Sequence, residues 1–105
     1  MDADLVFRAL ADPVRRDLLD SLNVRGGQTL AELAAGRAMT RQAVTKHLDV
    51  LARANLVAIV RRGRERLHHL NPVPIQEIAD RWIGKFQRAP LRALADLKTR
   101  LEQEP

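Results

Sequence analysis

Cysteine and tyrosine are both absent from the 105 residues, and the aromatic side chains amount to one Trp and two Phe. Without a thiol there is no disulfide, no thiolate zinc site, no cysteine nucleophile and no thiol redox switch. A metal would depend on three His and on carboxylates. With five Gly and no clustered glycine-lysine run, no phosphate-cradling loop is present either. Nothing in the residues shows an assembled nucleophile and base, so neither an enzyme nor a cofactor is expected. No apolar run comes near the roughly 18 residues of a membrane span, and the opening Met1-Asp2-Ala3-Asp4 is acidic where a secretory signal is basic. The expectation is one small domain over residues 1–105, cytoplasmic and with no membrane partner.

What is present is uneven charge. The net charge of +5 is concentrated between residues 37 and 66, where Arg37, Arg41, Lys46, Arg53, Arg61, Arg62, Arg64 and Arg66 face only Asp49 and Glu65. The remaining residues are close to neutral. A neutral body bearing one basic segment points to a polyanion, and nucleic acid is the commonest intracellular one; the plain alternative is a solvated charged face.

The hydrophobic periodicity resolves a series of short elements. Leu5, Val6, Phe7 and Leu10 predict a first helix opened by Asp2 or Asp4, and Asp12-Pro13 reads as an N-cap with proline at the first helical position. Val14, Leu18, Leu19 and Leu22 carry the second helix to Gly26-Gly27. Thr29-Leu30-Ala31-Glu32 has the capping-box form and starts a short helix ending by Gly36. After a brief turn, Thr40 caps a helix from Arg41 that ends near Asn55. Its apolar stripe is Val44, Leu48 and Leu51, and Gln42, Lys46, Asp49 and Arg53 occupy the opposite face with Arg41 and Thr45 beside them. Leu56 to Val60 and Leu67 to Leu70 predict two strands joined by the arginine-rich turn Arg61–Arg66. Beyond Asn71-Pro72-Val73-Pro74, Ile75, Ile78, Ala79, Trp82, Ile83 and Phe86 recur at helical spacing until Pro90, and Leu91, Leu94, Leu97 and Leu101 mark a last amphipathic stretch.

Helix, helix, short turn, polar-faced helix and basic-tipped hairpin is the order of a winged helix-turn-helix: mainly α with a small β-hairpin wing. The chain resembles the ArsR/SmtB family of bacterial transcriptional regulators. The residues that carry the likeness are Ala9-Leu10-Ala11-Asp12-Pro13-Val14-Arg15-Arg16, Glu32-Leu33-Ala34, Thr40-Arg41-Gln42-Ala43-Val44-Thr45-Lys46-His47-Leu48-Asp49-Val50-Leu51 and Leu56-Val57, and it extends over roughly residues 3–86. The resemblance implies a homodimeric, DNA-binding repressor whose first and last helices (1–12 and 74–105) form the dimer interface, around a helix-turn-helix at 29–54 and a wing at 56–70. Where the thiolate sensors of that family carry cysteines, the matching positions are Thr29, Ala31 and Ala34; where others carry ligands on the last long helix, this chain has Gln76, Glu77, Asp80 and Arg81. The set has no soft ligand and no histidine, so the chain is similar to the cysteine-free, non-metal-sensing branch. A small-molecule inducer of unknown identity is compatible with this reading.

Two-pronged pairing of Arg with guanine and Gln with adenine makes Arg41 and Gln42, at the amino end of the recognition helix, the expected base readers. Thr45 and Lys46 follow one turn later, for a thymine methyl, a base or a phosphate. Thr40 caps the helix and is also a candidate phosphate donor. His47 either bonds within the domain or reaches a phosphate. Arg62, Arg64 and Arg66, with Arg61, suit a wing tip along the phosphates or in the minor groove. The pair His68-His69 lies on a strand, where neighbours point to opposite faces and chelate one ion poorly. Leu5, Phe7, Leu10, Ile78, Trp82, Ile83, Phe86 and Leu94 are the expected dimer interface, although Trp82, Ile83 and Phe86 also suit a ligand pocket. The competing functional class is a winged-helix protein-interaction module without specific DNA binding.

Overall fold

The computed structural model describes residues 2–83, 85 and 88–103, leaving aside the side chains of 88–93. Among these residues six helices and one hairpin follow in the order α1 (Ala3–Leu10), α2 (Pro13–Val24), α3 (Leu30–Ala34), α4 (Arg41–Arg53), β1 (Val57–Arg62), β2 (Glu65–Leu70), α5 (Val73–Ile83) and α6 (Arg88–Gln103). The chain divides into two compact units, residues 1–75 and 76–105.

In the first unit each helix start is satisfied by a side chain. Asp2, rather than Asp4, caps α1, its Oδ1 accepting from the amides of Asp4 and Leu5 at 3.0 and 3.3 Å. Asp12 Oδ1 accepts from Val14 and Arg15, with Pro13 at the first helical position, where a missing N–H costs nothing. At α3 the reciprocal box forms as expected: Glu32 N–H donates to Thr29 Oγ1 at 3.2 Å and Thr29 N–H donates to Glu32 Oε1 at 3.1 Å. Thr40 Oγ1 accepts from Ala43 N–H at 3.1 Å to start α4. Each such cap contributes about 1 kcal/mol.

The core forms where the apolar stripes of these helices meet. Val6 and Ala9 of α1, Leu18, Leu19 and Leu22 of α2, Leu33 of α3 and Val44, Leu48 and Leu51 of α4 are all buried, joined by Ala54, Leu56 and Val57 at the lead-in to β1. Asn55 takes the left-handed conformation, φ 61°, that lets the chain turn from α4 into the strand. Asn71 closes the far end of the hairpin, its side-chain amide donating to Asn55 O and its main-chain N–H to Leu56 O, both at 2.8 Å.

The wing is tighter than the sequence predicts. β1 and β2 pair antiparallel from Val57↔Leu70 to Arg62↔Glu65, so only Gly63 and Arg64 form the turn. Gly63 has φ 63° whereas Arg64 stays at negative φ, the signature of a two-residue turn with glycine first. A third segment joins the sheet through Gln28, whose main chain exchanges hydrogen bonds with that of His68 (2.8 and 3.3 Å). Gln28 is buried, and its side-chain amide donates to Ser21 and to Arg25 O.

The break expected at Asn71-Pro72-Val73-Pro74 ends the hairpin at Leu70, and α5 begins within it at Val73, where Asn71 Oδ1 accepts from Val73 N–H at 3.3 Å and Pro74 occupies the first turn. Pro90 stands third in α6, which begins at Arg88. Phe86 lies outside the described residues.

Candidate nucleic-acid interface

Helix α4 places the side chains expected to meet DNA by periodicity alone. With Val44, Leu48 and Leu51 driven into the core, Arg41, Gln42, Thr45 and Lys46 are turned outward and exposed. Among the described residues, none of these four side chains makes a hydrogen bond or ion pair within the chain, so their donors and acceptors are free for another molecule. Thr40, at the helix start, is exposed and has its Oγ1 engaged as the cap.

The wing stands beside this face. Alternation puts Val57, Ile59, Arg61 and their partners Leu70, His68, Arg66 on one side of the hairpin. Arg61 and Arg66 are direct cross-strand partners, and like charges placed opposite each other repel unless an anion lies between them. Arg62 faces Glu65, and Arg64 is at the tip. Between hairpin and helix lies a cleft of about 330 Å³ lined by, among others, Leu30, Thr45, Asp49, Ile59, Arg64 and Arg66. Thr45 and the wing arginines therefore border one concave surface.

Not every basic residue of the segment takes part. Arg37 donates from Nε to Leu33 O and from Nη1 to Asp17, both at 2.6 Å, and is largely covered, so it closes the end of α3. Arg25 donates to Glu32 at 2.6 Å, and this contact, with the Thr29 amide, holds the Glu32 carboxyl below its usual value. At Asp12, partial desolvation is outweighed by the hydrogen bonds from the Arg15 and Val14 amides and by the Arg15 guanidinium, so its pKa is also lowered.

The histidines separate. His47 is half-buried, with Nδ1 3.3 Å from Arg15 Nη1. His68 is buried with Nδ1 2.9 Å from Gln28 O, whereas His69 lies alongside Gly26 and Gly27. The two therefore face opposite sides, and no group of three or more metal-ligating side chains occurs among the described residues. Among the described residues, no helix is long and apolar enough to cross a membrane. Sequence reasoning missed Arg15, whose link to His47 spans two helices and leaves no local pattern.

The expected interface residues are less uniform. Leu5 and Phe7 of α1 are exposed and Leu10 is half-buried. In the second unit Ile78 and Trp82 are half-buried, Ile83 is exposed and Arg81 lies 5.2 Å from the Trp82 ring centre. On α6, Leu94, Leu97 and Leu101 form an exposed apolar stripe. Ile78, Trp82, Ile83 and Leu94 belong to that unit, and Leu5, Phe7 and Leu10 to the first.

Comparison with known proteins is consistent with this geometry. A helix-turn-helix domain model matches residues 10–60. The chain is 40% identical over 86 residues to the HTH-type transcriptional regulator YuzN of Bacillus subtilis, covering 76% of this chain and 94% of that protein. It is 31% identical over 81 residues to the transcriptional repressor SdpR of the same organism, covering 77% and 88%. Among solved structures, an ArsR-like transcriptional regulator from Rhodococcus superposes with a TM-score of 0.74 at 30% identity, over 97% of this chain and 92% of that one.

Proposed function

The chain belongs to the ArsR-like winged helix-turn-helix transcriptional regulators, which are not enzymes, and from that premise we propose that it is a homodimeric repressor of a palindromic operator, including one upstream of its own gene. The observation that carries the reading is the exposed, internally unpartnered face of α4 beside an arginine hairpin. Arg41 and Gln42 read base edges from the amino end of α4, with Thr45 and Lys46 behind them. Thr40 and His47 contact the backbone at either side of that face, and Arg62, Arg64 and Arg66 hold the phosphates or enter the adjacent minor groove. The repulsion between Arg61 and Arg66 is relieved when a phosphate lies between them.

Dimerisation follows from the apolar surface left over. Leu5 on α1 and Leu94 on α6 are exposed, and burying each such large side chain against a second copy contributes about 1.5–3 kcal/mol. Leu10, Ile78, Trp82, Ile83 and Phe86 are assigned to the same interface, with residues 1–12 and 74–105 as the dimerisation helices. Two heads one helical turn apart double the contacts and require a palindrome. The cytoplasm is where such a repressor meets its DNA, and an inducer, if one acts, is a small molecule rather than a metal, given the ligand types present.

The test is fluorescence anisotropy of the purified protein on DNA from upstream of its gene, over a salt series and against unrelated competitor. Tight, competitor-resistant binding that weakens by about 0.9 in log–log slope per phosphate contacted is the expected result. Absent or wholly non-specific binding with little salt dependence would favour a protein-interaction module.

A further inference from the structure

The guanidinium of Arg15 is the junction of three helices. Its Nε–H donates to Ala9 O at 2.8 Å and its Nη2 to Arg8 O at 2.8 Å, both carbonyls at the end of α1. Nη1 lies 3.3 Å from His47 Nδ1 on α4 and 4.0 Å from Asp12 Oδ2 at the start of α2. A guanidinium has donors only. Its contact with Nδ1 therefore requires a lone pair on that nitrogen, which places the single proton of the neutral imidazole on Nε2. No buried side-chain nitrogen among the described residues lacks a partner, and Nε2 has none, so that edge of the ring meets solvent.

The position of this N–H matters. At 100° per residue, His47 stands about 200° around α4 from Thr45. Thr45 borders the wing cleft, so His47 marks the opposite flank. A helix lying in the major groove has a sugar-phosphate strand along each side. The wing arginines serve one strand; the other side of α4 presents the His47 N–H, with Arg8 exposed at the same corner. Asp12 is the acidic group there, and its Oδ1 already holds two amides while Oδ2 faces Arg15.

We propose that Arg15 is a positioning residue that locks His47 in the Nε2–H tautomer and so makes His47 a neutral phosphate donor on the flank of the recognition helix away from the wing. The proposal rests on the DNA-binding reading above and adds to it a residue on α2 and a link from α1. Because Arg15 also grips α1, the placement of this donor follows that of the helix that carries Leu5 and Phe7.

Nitrogen-15 NMR of the unaltered protein at neutral pH reads the tautomer directly, and proton on Nε2 is expected; proton on Nδ1 or on both nitrogens would overturn the proposal. In Arg15→Gln the preference for Nε2–H should disappear. His47→Asn keeps an acceptor for Arg15 but no donor at reach, and His47→Gln keeps a donor at reach. The Asn variant should bind operator and unrelated DNA about tenfold more weakly, the loss of one hydrogen bond to a charged group, with the melting temperature and the salt slope unchanged. The Gln variant should stay within about threefold of the unaltered protein on both DNAs. A slope smaller by about 0.9 in the Asn variant would show a cation at His47 and defeat the neutral-donor assignment. If the unaltered protein bound no DNA, the regulator reading itself would fail; binding indifferent to His47→Asn would remove only this proposal.

Discussion

Helices α4 and α6 are built on the same pattern and end in different situations. Both are amphipathic, of 13 and 16 residues, with leucines recurring every three or four positions. In α4 the stripe of Val44, Leu48 and Leu51 is at most 4% exposed, whereas Leu94, Leu97 and Leu101 of α6 are 50–64% exposed. Periodicity says that a face must be covered; it does not say by what. The apolar face of α4 is covered by its own chain, which leaves its polar face exposed. On α6 it is the apolar face that is exposed, and that is the surface proposed above to meet a second copy.

The sharpest way to break the comparison is to truncate the covered stripe. Leu51→Ala leaves a cavity in a fully buried site and should cost about 2–5 kcal/mol of stability by denaturant titration. The same truncation at Leu94 should leave monomer stability almost unchanged, since there is little burial to lose. Leu94→Asp should instead shift the proposed dimer to monomer in sedimentation and weaken operator binding with it; an unchanged dimer would remove α6 from the interface.

On the working face the effects are smaller and differ in kind. Arg41→Ala or Gln42→Ala should each cost about 1–3 kcal/mol on the cognate operator and relax preference at one position per half-site. Equal losses on all DNA would contradict base reading. Arg64→Ala should weaken operator and unrelated DNA alike and reduce the salt slope by about 0.9.

The smallest effect is electrostatic. Glu32 has its pKa lowered in the fold by Arg25 and the Thr29 amide, so its contribution is present above the ordinary value of 4.5 and lost as pH falls through the lowered one. Melting temperature should therefore decline on acidification below about pH 4.5, and Glu32→Gln should flatten that decline while being the less stable protein at pH 7.

Much of the first unit, including the exposed face of α4, was legible because its determinants are local. The caps Asp12, Thr29 and Thr40 act within one turn, and the stripe of α4 repeats every three to four residues, so both are written in neighbouring letters. From these follow the helices, their exposed faces and hence Arg41, Gln42, Thr45 and Lys46. The prolines marked the break after the hairpin but not the first residue of α5, because Pro74 fits the first turn of a helix, where no N–H is missed, and Asn71 Oδ1 takes up the Val73 N–H.

By itself, then, the sequence determined the order of helices and hairpin, the basic segment and which face of α4 is polar, since these depend on contacts between near neighbours. Tertiary structure alone decided that Arg37 is drawn away to Asp17, 20 residues earlier, that Arg61 confronts Arg66, and that Arg15 meets His47 across 32 residues. Those pairings are set by how whole elements pack, and a charge or a ring nitrogen acquires its role only from the group that packing brings beside it.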